Sequence, residues 1–240
     1  METHTENTTT WTDGDEGFDD LLAGYRFKVC ETPEEVAGAL EVRRQVYCEG
    51  SGYSIRCPDE LDHRSWILRA ECATTGKCIG TMRLTPRFAG PFECEEYFEL
   101  PRQLRGSACL EISRFAILPE HRRGSTMVPA VAFGLFKLCY EFALAIGSTH
   151  QVVCSKPSRT WTYTQMGFEA TGDEAAYGKL DGALHELLAV RFDEAPQFLR
   201  DNPFKVLFLE TSFDEVMLPN RRPPLGLVPD TREFRFAVGA

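Results

Sequence analysis

Two side chains of opposite charge interrupt a stretch that otherwise reads as a buried strand. In ACLEISRFAILPEHRRGS, residues 108–125, Glu111 and Arg114 stand among Cys109, Leu110, Ile112, Phe115 and Ile117. A carboxylate in an apolar setting is a candidate general base, and an arginine beside it balances charge. The two differ by three positions, so a flat strand points them to opposite faces, whereas a bulge between them restores a common side. The same bulge would free backbone N–H groups around Phe115, Ala116 and Ile117, which makes these three candidate oxyanion donors contributing on the order of 3 kcal/mol. The stretch then ends on Arg122, Arg123, Gly124 and Ser125 ahead of an apolar run. Cations and unpaired helix N–H groups gathered in that way suit a phosphate.

Other elements must bring partners to this strand. A helix is predicted from Pro33, with Thr32 as N-cap and Glu35 completing a capping box. On it Val36, Leu40, Arg43 and Tyr47 share one stripe, so an arginine lies on the face that should be buried. Residues 49–64 form a long polar loop holding Asp59 and Asp62. Strands at 65–72 and 77–84 make an antiparallel hairpin, the second carrying Arg83. The third strand, 108–118, is followed by a helix over 125–146, a short strand QVVCS, and a last strand over 185–192. Arg43, Arg83 and Arg114 against Asp59, Asp62 and Glu111 form a balanced set, and balance is what permits such groups to be buried together.

The chain has 240 residues, 43% of them hydrophobic, and a net charge of −10. That length supports a sizeable core, and the acidity argues against a general nucleic-acid binder. The nine cysteines are scattered and never spaced C-x-x-C, so neither a metal site nor a disulfide framework is signalled. No secretory signal opens the chain, and a cytoplasmic location is the default expectation. The apolar run from Val128 to Gly147 carries Pro129, Lys137 and Glu141, which favours a buried helix with Lys137 and Glu141 at its wet edge over a membrane span. Residues 1–20 read as a disordered tail, 21–195 as the domain and 196–240 as a C-terminal extension packed on it.

Strand, Arg-Arg-Gly turn, long helix, QVVCS and then Tyr163-Thr164-Gln165-Met166-Gly167-Phe168 resemble the GNAT acyltransferases. A narrower likeness lies in Arg43 with Tyr47, Asp59-Glu60-Leu61-Asp62, Gly80-Thr81-Met82-Arg83-Leu84 and Glu111-Ile112-Ser113-Arg114-Phe115. Together these look like the branch of autoinducer synthases and N-acyl amino acid synthases. The likeness covers about residues 25–170. It implies an α/β (α+β) GNAT-like three-layer fold, with a mixed, mostly antiparallel central sheet and flanking helices.

The resemblance further implies an N-acyltransferase that moves a fatty-acyl group from an acyl carrier protein thioester to the α-amine of an amino acid. Glu111, Arg83, Arg114 and Tyr163 are the expected catalytic residues. Arg43, Tyr47, Asp59, Asp62, Phe115, Ala116 and Ile117 are expected at the substrate, and Arg122, Arg123, Gly124 and Ser125 at phosphopantetheine. No metal and no tightly bound cofactor is expected; acyl carrier protein, or acyl-coenzyme A, is the co-substrate and partner. Because Gly52-Tyr53 stands where lactone synthases carry Gly-Trp, a homoserine-lactone synthase using S-adenosylmethionine ranks second. His121 and Thr126 replace the usual ends of the coenzyme A turn, which ranks a coenzyme-A acetyltransferase or a non-catalytic thioester-binding module after it. Arg56, Arg64, Arg102, Arg105, Arg122, Arg123 and Arg159 are candidates for carrier docking.

Overall fold

The computed structural model describes residues 22–106, 108–122 and 129–192. Their strands form one seven-stranded sheet, β1 (Tyr25–Val29), β2 (Trp66–Cys72), β3 (Cys78–Pro86), β4 (Cys109–Ile117), β5 (His150–Ser155), β6 (Glu169–Tyr177) and β7 (Ala183–Arg191). The order is β1-β2-β3-β4-β5-β7-β6. Only β4 and β5 run parallel; every other neighbour is antiparallel. A parallel pair needs a crossover, and the helix α2 (Ala130–Ala145) supplies it.

Helices cover both faces. The helix α1 (Pro33–Arg43) begins with the expected capping box, the Thr32 side chain accepting from the Glu35 N–H and the Glu35 carboxylate receiving the Thr32 N–H. It continues as a π-helical turn over Arg44–Glu49 and packs Val36, Ala39 and Leu40 against Ile67. On the opposite face α2 buries Val131, Phe133, Leu135, Leu138 and Phe142 against Leu68, Met82, Leu84 and Ile112. Burying four or five such side chains contributes on the order of 2 kcal/mol apiece before ordering entropy. Gly134 lets the Phe27 ring lie directly on the helix, where a Cβ would overlap the ring.

Lys137 departs from expectation. Its side chain is 1% exposed, and the Glu141 carboxylate 2.6 Å away compensates its charge inside the core instead of at a wet edge. Two elements carry weak sequence signals and stand outside the expected order. One is the eight-residue helix α3 (Pro157–Thr164), and the other is β6, an edge strand mostly exposed along its length, so neither shows a clean apolar period. The segments 1–21 and 123–128 and the extension after 192 lie outside the described residues, as do the roles expected for Arg123, Gly124 and Ser125. Among the described residues no helix is long and apolar enough to cross a membrane.

Candidate active site

The bulge expected from the spacing of Glu111 and Arg114 is present. Between the ladder pairs Thr81 with Ala116 and Arg83 with Ser113, β4 carries one residue more than β3. Arg114 takes up that surplus with φ at 53°, a left-handed conformation uncommon for any residue but glycine. Two acids stabilise it there: its guanidinium donates to Asp59 at 2.9 and 3.1 Å and to Glu93 at 2.7 Å. The Tyr47 hydroxyl, on the π-helical turn, donates to the Phe115 carbonyl at 2.6 Å and ties the same bulge from the other side. π-turns of this kind recur at functional sites.

Behind the bulge lies a buried charge network. Arg83 is fully buried and donates to Asp59 at 2.5 Å, Asp62 at 3.3 Å, Glu93 at 2.7 Å and the Ser113 hydroxyl at 2.9 Å. Arg43, equally buried, reaches Asp62 at 2.5 Å, while its Nε and Nη2 find no partner among the described residues. Both oxygens of Glu111 accept backbone N–H groups, from Glu93 at 2.9 Å and Cys94 at 2.8 Å. Burial, seconded by the Glu93 charge, raises the Glu111 carboxyl above its ordinary range against the pull of Arg83 and these two N–H groups. Asp59 behaves oppositely: burial would raise it, but Arg83 and Arg114 hold it well below the usual aspartate range.

The sheet opens in front of this network. β4 and β5 pair only from Cys109 with His150 to Ile112 with Val153, and residues 113–117 of β4 then run on without a β5 partner. The opening is a cavity of about 490 Å³. One wall is β4 from Glu111 to Ile117, with Tyr47 and Glu93 beside it. The floor is apolar, made by Ala132 and Phe136 of α2, Val153 and Tyr163. Phe136 packs on Phe115 at 5.1 Å and edge-on to Tyr163 at 5.5 Å. Arg122, Lys156 and Arg159 stand around the opening, and Arg122 is braced by a 2.7 Å bond to the Ile117 carbonyl.

Sequence reasoning and structure divide at this wall. Glu111, Arg114, Phe115, Ala116, Ile117, Tyr47, Tyr163 and Arg122 all line the cavity. Arg43, Arg83, Asp59 and Asp62 do not; they pair with one another, and with Glu93 and Arg114, behind the wall. Arg83, from which a catalytic part is expected, and Arg43, Asp59 and Asp62, expected at the substrate, stand in the framework behind the cavity wall. Tyr163 is clamped between Phe136 and Phe168, and burial raises its hydroxyl far above the usual range.

Four residues of the site escaped the sequence. Glu93, Lys156, Tyr177 and His185 come from four separate turns and strands, and only Lys156, directly after QVVCS and before Pro157, had a local cue. Of the basic residues considered for docking, Arg122 and Arg159 reach the cavity rim, whereas Arg105 is paired with Glu99 away from it.

The mixed seven-stranded sheet with its flanking helices matches the fold of solved N-acyltransferases. The structure of FeeM, an N-acyl amino acid synthase from uncultured soil microbes, superposes with a TM-score of 0.61 at 18% identity, over 75% of this chain and 97% of that one. BjaI, a coenzyme-A-dependent acyl-homoserine lactone synthase solved with S-adenosylmethionine and isopentyl-coenzyme A, gives 0.57 at 18% identity over 78% and 92%. An acyl-coenzyme A N-acyltransferase from Pseudomonas aeruginosa gives 0.52 at 14% identity over 69% and 98%. No curated protein sequence matches the chain. The family model described as N-acyl amino acid synthase FeeM matches residues 39–191, which include both walls of the cavity, and the chain belongs to that family of GNAT-like N-acyltransferases.

Proposed function

We propose that this acyltransferase moves a fatty-acyl group from the phosphopantetheine thioester of an acyl carrier protein to the α-amine of an amino acid. The observation that carries the reading is the cavity between β4 and β5, apolar at its floor and cationic at its rim. An acyl chain fits against Phe136, Ala132 and Val153, and removing it from water there contributes about 0.8 kcal/mol per methylene. Arg122 and Arg159, both exposed at the rim, suit the phosphate of the arm and the acidic surface of a carrier protein. Lys156, whose Nζ donates to the Tyr53 hydroxyl at 2.6 Å, offers the amino acid's carboxylate a cation inside the cavity.

The reacting carbonyl belongs beside the bulge. The Leu118 N–H donates to the Ile79 carbonyl, which sets the alternation of β4 and turns the Ile117 peptide away from β3, as its carbonyl bond to Arg122 agrees. The N–H groups of Ile117 and Phe115 then suit the oxyanion, and Ala116, ladder partner of Thr81, positions them. Glu111 and Glu93 give the inner wall negative charge that attracts the ammonium of the acceptor.

Incubating the purified protein with acyl carrier thioesters or acyl-coenzyme A, each with single amino acids or S-adenosylmethionine, tests the reading by mass spectrometry. An N-acyl amino acid formed faster from the carrier thioester is the expected product. A lactone ring in the product overturns the choice of acceptor, and a faster coenzyme A reaction overturns the choice of donor.

A further inference from the structure

Acyl transfer to an amine, the reading on which this inference rests, requires a group to take the ammonium proton before nitrogen can attack. Most polar groups on the cavity wall are already engaged. Glu93 accepts from Arg83 and Arg114, Glu111 holds two backbone N–H groups, and Tyr47 donates to Phe115. His185 differs. It stands on β7 one step beyond Glu186, the partner of Ser155 in the last β5–β7 ladder pair, and so lies level with Lys156 where β5 ends.

The His185 side chain lines the cavity, although the residue is only 4% exposed. Its Nδ1 lies 2.8 Å from the Ala183 carbonyl, which can only accept, so Nδ1 carries the hydrogen and Nε2 of the neutral ring keeps its lone pair. Among the described residues the ring makes no other hydrogen bond, so Nε2 is left without a partner. The Tyr177 ring, 4.7 Å away, fixes the plane of the imidazole. Facing groups are Cys154 and Lys156 from β5 and its end, Tyr177 from β6, Arg159 from α3, and Glu93 and Glu111 across the cavity. Burial above all, and the Lys156 charge, lower His185 from its ordinary 6.5 against the bond to Ala183, which leaves it neutral at pH 7.

We propose that His185 is the general base of the acyl transfer. An N–H bond of the acceptor's ammonium breaks as a bond from that hydrogen to Nε2 forms, and the freed lone pair makes the C–N bond at the thioester carbonyl. The tetrahedral intermediate collapses with cleavage of C–S, and the departing thiolate takes the second nitrogen proton to leave as thiol. The imidazolium returns its proton to water. Glu111, expected from sequence to be the base, instead draws the ammonium in and fixes the Glu93–Cys94 turn.

The test uses the full chain with His185→Gln, His185→Gly and the unmodified protein. The Gln variant should lose about 100-fold or more in kcat with KM changed less than about threefold. The unmodified rate should rise with pH through a group below 6.5, a limb absent from the Gln variant. Imidazole added to the Gly variant should restore part of the rate. A Gln variant that keeps its rate and its acid limb overturns the assignment. Should neither variant fold, an NMR titration of His185 in the unmodified protein decides: neutral at pH 7 with the hydrogen on Nδ1 supports the base, and a charged ring or the other tautomer overturns it. Amide formation with an undiminished Gln variant defeats the base alone, whereas an unmodified protein that acylates no amine defeats the acyl-transfer reading with it.

Discussion

The Tyr47 hydroxyl donates to the Phe115 carbonyl at 2.6 Å, joining the turn after α1 to the bulge of β4 across 68 positions of sequence. Arg114, the neighbour of Phe115, is held from behind by Asp59 and Glu93. The bulge is thus gripped on both sides, and a strained φ persists because the surroundings over-determine it. Backbone donors fixed in this way need little reorganisation when charge develops on an oxyanion.

Removing one grip should loosen the donors without dismantling the fold. Tyr47→Phe loses a single hydrogen bond, with a net effect of about 1 kcal/mol. A fall in kcat of about tenfold, with a thermal midpoint lowered by only a few degrees, is the expected outcome of steady-state kinetics and calorimetry.

Removing the centre of the network should unfold it. Arg83→Ala leaves Asp59, Asp62 and Glu93 facing a void where a fully buried cation stood. Breaking such a set by deleting one member costs about 3–5 kcal/mol. Denaturant titration should show the loss; a change below about 1 kcal/mol contradicts the framework role.

Stability should depend on Asp59 at acid pH. Its folded value lies below the ordinary 3.8, so its ion pairs contribute fully above that value and are lost as pH falls through the folded one. Unfolding free energies measured from pH 7 down to 3 should decline at the acid end, and Asp59→Asn should be less stable at pH 7 with a shallower decline. An unchanged decline assigns the acid sensitivity elsewhere.

The floor should set chain length. Phe136 lies between Phe115 and Tyr163, so Phe136→Ala should admit longer acyl groups and Phe136→Trp shorter ones. Competition between thioesters of different length reads this directly, and a shift of about tenfold in preference is expected for two or three methylenes.

The rim should act on encounter. Reversing charge at Arg122 and Arg159 should raise KM for the carrier thioester several-fold, leave kcat nearly unchanged and weaken the salt dependence. Equal losses with a minimal pantetheine thioester would move these arginines from docking to chemistry.

Local chemistry determined much of this protein. The Thr32, Pro33 and Glu35 pattern starts α1, because a cap acts on N–H groups three residues away. Glu111 and Arg114 three apart in a core strand predict a bulge, because side-chain alternation has a fixed period of two. The motifs around Arg43, Asp59, Arg83 and Glu111 were likewise legible as one balanced set. Tertiary structure decided which of them meet the cavity. Arg83 and Asp59 turned inward because each found opposite charges there, an outcome no spacing encodes. Glu93 joined them from a turn with no period, and His185 reached the cavity only because β5 ends one step short of it on the neighbouring strand. The physical reason is range: capping, alternation and bulging act over a few residues, whereas a cavity is made where strands distant in sequence stop pairing.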